Sequence, residues 1–110
     1  MIYAAAQPST VGGPWTAVAA YDTATQRLSL CDLGADGVVG EPLFAPRLGA
    51  DPARDDDGYL VFYRTRRDAD LTEVIVADAA KLDAGPCFRG LIPGSLGNTF
   101  HGSWAGLRAG

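Results

Sequence analysis

The sequence predicts an all-β fold made of short antiparallel strands. Apolar segments of about five to seven residues recur along the whole chain, and Gly, Pro, Asp or Asn separate them. The 110 residues include 14 Gly and 7 Pro, more than a helical bundle tolerates. No apolar run approaches the ~18 residues of a membrane span.

Eight segments have the composition of strands, and the one apparent helix among them is too short to be stable alone. The segment ADAAKLDAG at 77–85 is followed by Pro86, so a turn or a single helical turn is expected there. In chain order the predicted strands are MIYAAA (1–6), TAVAAYD (16–22), RLSLCDL (27–33), EPLFAP (41–46), GYLVFYR (58–64), TEVIVAD (72–78), CFRGLIP (87–93) and NTFHGSW (98–104).

Two predicted hairpins suggest a repeat. The first has its polar turn at Asp22 to Gln26, the second joins the strands at 58–64 and 72–78, and the tripeptides 21–23 and 63–65 occupy equivalent places 42 residues apart. This is the period of a β-propeller blade, although a sandwich spaces its strands similarly. A propeller needs about four blades or more, so 110 residues supply only a piece of one, about two to three blades.

Charge argues against nucleic acid and anionic membrane as partners. The formal charge is -4, and the basic stretch RTRRD at 64–68 is interpreted as a solvated hairpin turn. The first ten residues lack the pattern of a secretory signal, so a soluble cytoplasmic protein is expected.

Few residues suggest chemistry by themselves. Cys31 and Cys87 have no CxxC spacing, so two small buried hydrophobes are expected, and spacing cannot establish a disulfide. The run DPARDDDG at 51–58 lacks the ligand spacing of a calcium loop and is expected to be a solvated loop. TVGGPW at 10–15 is expected to form a turn. His101 is the single histidine and, judged alone, is expected to be a core or half-buried residue.

Several segments together resemble the C-terminal part of the carotenoid cleavage oxygenase family. GEPLFAPR, DDDGYLVFY, TEVIVADAAKL and TFHGSW come in the order of that family and at about its spacing. The upstream stretch from MIYAAA through GGPWTAVAAYDTATQRLSLCDLG is similar to the preceding strand pair of the family. The resemblance therefore covers nearly all of residues 1–110, which are expected to form a single partial domain.

The resemblance implies a non-haem Fe(II) dioxygenase on a seven-bladed propeller, in which four histidines bind iron and O₂ cleaves a conjugated double bond into two carbonyls. His101 matches the last iron ligand, and the other three would lie upstream of Met1. Glu41 matches a carboxylate that orients a ligating imidazole, and its partner is either His101 or a histidine outside this chain. The implied substrate is a carotenoid, apocarotenoid or stilbene, and the chain alone is expected to be inactive.

Two alternatives stay open at this point. Without the resemblance, Glu41 is equally well explained as a solvent-facing carboxylate at the start of a strand. The chain as a whole is also compatible with a non-catalytic β-rich interaction module, an isolated propeller piece that oligomerisation or a partner stabilises.

Overall fold

Eight strands and one short 3₁₀ helix make up the described part of this computed structural model, which is residues 1–7, 15–66 and 71–93. The helix spans Ala79–Ala84. The strands are β1 (Ile2–Ala6), β2 (Ala17–Asp22), β3 (Arg27–Asp32), β4 (Gly37–Val39), β5 (Leu43–Pro46), β6 (Gly58–Arg66), β7 (Leu71–Asp78) and β8 (Pro86–Pro93).

These strands form two antiparallel sheets. The first sheet has the order β1-β2-β3, and the second has the order β4-β6-β7-β8 with β5 also pairing with β6. The predicted all-β class and the antiparallel pairing are confirmed. Seven predicted strands are present, β4 was not predicted, and the strand expected at 98–104 lies outside the described residues.

The first hairpin has the predicted turn, and the carboxylate of Asp22 stabilises it. Asp22 accepts hydrogen bonds from the backbone N–H groups of Ala24 at 2.9 Å and Thr25 at 3.3 Å. Gln26 closes the turn with φ at 58°, in the left-handed region. The register that follows pairs Asp22 with Arg27 and Ala17 with Asp32.

The interpretation of RTRRD as a solvated turn is wrong for its first residues. β6 continues to Arg66, and residue Arg64 is only 1% exposed. Alternation explains this, because Leu60, Phe62 and Arg64 point to the same buried face of β6. Residues 67–70, where the chain passes from β6 to β7, lie outside the described part.

The core lies between the two sheets. Each sheet turns one set of alternating side chains toward the other, and the ring of Tyr3 in β1 stacks on that of Phe44 in β5 at 5.7 Å. The buried core residues are Val18, Ala20, Cys31, Val39, Leu60, Phe62, Ile75, Ala77, Ala79 and Leu82.

The predicted helical turn is present and closes one side of this core. Asp78 caps it by accepting a hydrogen bond from the Ala80 N–H at 2.9 Å, and Leu82 inserts into the core. The pairing of β7 with β8 is irregular between Val76 and Ala77, and beside this irregularity Cys87 is exposed rather than buried as expected. Cys31 is buried as expected, and both thiols are free.

The acidic loop at 51–58 is exposed at residues 51–55, as expected, but Asp56 and Asp57 are half-buried, Gly58 is buried, and the loop is internally bonded. The Arg47 guanidinium donates to both carboxylate oxygens of Asp57, at 2.8 and 2.9 Å. Asp57 also accepts from the Asp51 N–H at 3.1 Å. These bonds hold the pKa of Asp57 at about 2, below its ordinary value. The carboxylate of Asp57 is thus engaged by arginine.

Candidate site at Glu41

An open pocket of about 460 Å³ lies where the first sheet meets β4. Its lining side chains are mostly apolar or small, polar and apolar atoms contribute about equally to its walls, and Glu41 supplies a carboxylate among them. Such a mixed lining can contact an apolar group and orient a polar one. The lining residues are Tyr3, Ala4, Ala5, Trp15, Val38, Val39, Gly40 and Glu41.

The backbone on both sides of Glu41 is fixed. Before it, the Val39 N–H donates to the carbonyl of Trp15 and the Gly40 N–H to that of Tyr63, both at 2.8 Å. After it, Pro42 is buried and restricts the preceding residue to extended conformations. Glu41 itself is exposed, so a held backbone presents its carboxylate at the pocket.

Tyr3 forms a rigid and uncharged wall of the pocket. Its hydroxyl donates a hydrogen bond to the carbonyl of Asp55 at 2.9 Å, and its ring is stacked on Phe44. Burial, with smaller contributions from the charges of Asp55 and Asp56, raises the pKa of Tyr3 to about 12. The phenol therefore stays protonated at neutral pH, and Glu41 provides the charge at this pocket.

The described residues do not by themselves form a metal site. In residues 1–7, 15–66 and 71–93, no group of three or more His, Cys, Asp or Glu side chains is placed to bind a metal ion. His101, the sequence-predicted iron ligand, lies outside those ranges, so its role as a ligand stays a prediction. The described residues fit an iron site only if imidazoles from elsewhere supply the ligands.

Sequence reasoning missed a buried ionic cluster around Arg64. The Arg64 guanidinium donates to the carbonyl of Leu33 at 3.2 Å, to Glu73 at 3.4 Å, and to the carboxylate of Asp36. Glu73 is also buried and accepts from Arg89 at 2.9 Å. Since Leu33 follows β3, this cluster connects the end of the first sheet to the second.

The Arg64 cluster affects the pKa of Asp36 and the residue type allowed at position 37. The hydrogen bond from Arg64, with its charge, holds the pKa of Asp36 below its ordinary value. A Cβ at Gly37 would overlap the Arg64 guanidinium, so β4 can start beside Arg64 only with glycine there. Aligning the two predicted strands could have revealed this ion pair. A hairpin that pairs Phe62 with Ile75 also pairs Arg64 with Glu73.

A membrane-spanning helix is absent from the residues that the structure describes, where no helix has the length and apolar character required.

The comparisons with known proteins agree with one another. The family model of retinal pigment epithelial membrane protein matches residues 1–106. Lignostilbene-alpha,beta-dioxygenase isozyme III of Sphingomonas paucimobilis is 33% identical over 85 residues, which are 77% of this chain and 17% of that protein. Apocarotenoid-15,15'-oxygenase of Synechocystis sp. is 30% identical over 101 residues, which are 92% of this chain and 20% of that protein.

The structural comparison agrees with these matches. A crystal structure of cobalt-substituted Synechocystis apocarotenoid oxygenase superposes with a TM-score of 0.84 and 28% identity, over 94% of this chain and 21% of that one. The chain therefore spans about a fifth of the length of its relatives. Its two sheets have the same arrangement as that fifth.

Proposed function

Because the chain belongs to the retinal pigment epithelial membrane protein family of carotenoid oxygenases, we propose that it is the C-terminal part of a non-haem Fe(II) dioxygenase. The complete seven-bladed propeller would cleave a conjugated C=C bond of a carotenoid, apocarotenoid or stilbene with O₂, giving two carbonyl products. The names of the relatives support this reaction class, since one is a lignostilbene dioxygenase and another an apocarotenoid oxygenase.

In this proposal His101 is an iron ligand and Glu41 positions an imidazole. Bound Fe(II) supplies the oxygen chemistry, which no side chain of the protein can provide. The Glu41 carboxylate accepts a hydrogen bond from the N–H of a ligating histidine, either His101 or one outside this chain. Such a bond fixes the tautomer of the ring and makes its other nitrogen a better donor to the metal. The carrying observation is the exposed Glu41 on a fixed backbone beside a pocket whose lining side chains are mostly apolar.

The chain spans only about a fifth of its relatives, so the remaining ligands and most of the substrate tunnel must come from elsewhere. We therefore propose that these 110 residues have no activity alone and act within the complete fold. O₂ and an apolar conjugated substrate are the partners of that fold.

A hybrid enzyme tests these assignments. In it, this chain replaces the fifth of the Synechocystis apocarotenoid oxygenase that it matches, and carbonyl products from an apocarotenoid are measured by chromatography. We expect activity in the hybrid, its complete loss in His101→Ala, and a loss of about 10- to 100-fold in Glu41→Gln. The melting temperature of Glu41→Gln is measured beside its activity, so that loss of the positioning role is distinguished from loss of the fold.

Asp83→Asn is the matched control, since it removes an exposed carboxylate on the 3₁₀ helix, away from the pocket. Full activity in His101→Ala would refute the ligand assignment. A Glu41→Gln hybrid as active as Asp83→Asn would refute the positioning role.

A second candidate function has one specific observation behind it. Large apolar side chains are exposed on the outward faces of both sheets, including Leu28 on the first and Phe88 on the second. A non-catalytic module that persists by association would use such surfaces. Stable self-association of the chain without metal, combined with an inactive hybrid, would favour this function.

A further inference from the structure

Glu41 lies in a short irregular stretch between two strands that share one edge of β6. β4 and β5 both pair with this edge, and β7 pairs with the other. β4 ends with Val39 opposite Arg64, and β5 begins with Leu43 opposite Val61. Three residues, 40–42, therefore face only two residues of β6. We call residues 40–42 the Glu41 bulge, because an extra residue of this kind bends a strand and redirects a side chain.

The direction of the Glu41 side chain depends on the register of β4. A shift of β4 by one residue along β6 would turn each of its side chains to the other face of the sheet. The same shift would change the number of residues in the bulge, so Glu41 would no longer face the pocket. β4 has only three residues, Gly37–Val39, and so few pairings specify a register weakly. Another contact must therefore fix the register.

The fit between Arg64 and Gly37 admits one register. Arg64 is buried on the face of the sheet that Gly37 and Val39 share. A Cβ on Gly37 would lie 2.8 Å from the central carbon of the Arg64 guanidinium, closer than real Cβ atoms approach other atoms. A shift by one residue in either direction would bring Val38 or Asp36 to the place of Gly37. Both residues carry a Cβ, so the guanidinium opposes both shifts.

Hydrogen bonds from Arg64 hold the residues before β4 as well. Its guanidinium donates to the carboxylate of Asp36 and, at 3.2 Å, to the carbonyl of Leu33. On its other side it donates to the buried Glu73 of β7 at 3.4 Å. The hairpin of β6 and β7 thus fixes the guanidinium, and the guanidinium holds the residue next to Gly37. The Arg64 contacts therefore act on the end of β4 that lies farther from the bulge.

We propose that Arg64 is a positioning residue for Glu41, which holds β4 in the register that turns the Glu41 carboxylate toward the pocket. Arg64 does not line the pocket in the part of the chain that the structure describes, so it acts through the backbone of β4. This inference rests on the proposed function for the use of Glu41. It adds the residue that determines where Glu41 is held.

Hydrogen exchange and kinetics in the hybrid enzyme test this role together. Exchange is followed by mass spectrometry in peptides that contain Val39 and Gly40, whose N–H groups are bonded to Trp15 and Tyr63. The kcat/KM for an apocarotenoid is measured beside it. The variants are Arg64→Met, with Arg54→Met as control, and Asp36→Asn, with Asp83→Asn as control. Each is made in the wild-type hybrid and in the Glu41→Gln hybrid.

We expect Arg64→Met to speed exchange at Val39 and Gly40 by at least about tenfold, with little change in β2. In the wild-type hybrid it should lower kcat/KM by about 10- to 100-fold, as Glu41→Gln does. In the Glu41→Gln hybrid the further loss should be less than about twofold, because the side chain that Arg64 positions is already disabled. Asp36→Asn should act in the same direction but lower kcat/KM only about threefold, since Asp36 is exposed. Both controls should match their parent hybrids.

Equal losses of kcat/KM in the wild-type and Glu41→Gln hybrids would overturn the proposal, because Arg64 would then act on the fold in general. Exchange that rises equally in β2 and β4 would also overturn it. If Arg64→Met does not fold, Asp36→Asn decides by the same two comparisons. If the wild-type hybrid is inactive, the proposed reaction is refuted and exchange alone decides. Faster exchange confined to Val39 and Gly40 would then support the register role, and unchanged exchange would overturn it.

Discussion

Arg64 shows how a single residue can be misread from sequence. Its neighbours Arg66 and Arg67 make the stretch look like a basic turn, but the alternation of β6 carries Arg64 inward opposite Glu73. A charged residue in a strand is normally solvated, so only knowledge of the partner strand reveals the ion pair. The sequence predicted the strand that contains Glu73, but it did not show that β6 extends to Arg66.

Removing the Arg64 side chain should destabilise the chain strongly. Arg64→Met leaves the buried Glu73 with Arg89 as its remaining partner in the part of the chain that the structure describes, and it leaves the Leu33 carbonyl and Asp36 without this donor. We expect a loss of about 3 kcal/mol in the free energy of unfolding, measured by urea denaturation. Arg54→Met is the control, because Arg54 is exposed in the acidic loop, and it should change stability by less than about 0.5 kcal/mol. Similar values for the two variants would contradict a structural role for the cluster.

Glu41 could be selected from the sequence only through the family resemblance. A Glu-Pro pair before a strand is common at protein surfaces, and composition gives it no role. The structure adds its environment, since hydrogen bonds to Trp15 and Tyr63 fix the backbone that presents it at a pocket. His101 stays a prediction that rests on the resemblance, because it lies outside the described residues.

At the scale of elements, most strands were predictable and their ends were not. Alternation and turn residues located β1, β2, β3, β5, β6, β7 and β8 to within a few residues. β4 was missed because three residues, Gly37–Val39, are too few for a pattern to show. Its position depends on tertiary contacts, namely the bond from Val39 to Trp15 and the pairing with the far end of β6. The alternation of apolar and polar residues in the sequence predicts neither contact.

The loop between β5 and β6 should make the free energy of unfolding depend on pH in the acid range. Asp57 has a pKa of about 2 in the folded chain, below the ordinary 3.8. Its pairing with Arg47 therefore stabilises the fold fully above about pH 4, and this contribution is lost as the pH falls from about 4 to about 2. We expect Asp57→Asn to be less stable than wild type at pH 7 and to lose less further stability over that acid range, by urea denaturation at each pH.

Arg47→Met provides the matched variant, because it removes the same pair from the other side. It should flatten the acid dependence in the same way. Some dependence should remain in both variants, since Asp22, Asp36 and Asp55 also have lowered pKa values. An acid profile identical to wild type in both variants would contradict the assignment to this pair.

At the scale of the whole molecule, the chain is two packed sheets with apolar outward faces. The composition predicted the all-β class, and the 42-residue period suggested propeller blades, but neither shows which further sheets would flank these two. Membership in the carotenoid oxygenases adds that this chain spans only about a fifth of the length of its relatives. The incomplete donor set among the described residues follows if the ligands of the site come from outside this chain.

The central claim is that this chain contributes a ligand to an iron site that it cannot complete alone. The most direct test is the iron content of the hybrid enzyme after anaerobic loading with Fe(II) and gel filtration, compared between wild type and His101→Ala. We expect stoichiometric iron in the wild-type hybrid, a loss of more than about tenfold in His101→Ala, and none in the isolated 110-residue chain. Equal iron in the two hybrids would contradict the claim, as would a stoichiometric site in the isolated chain.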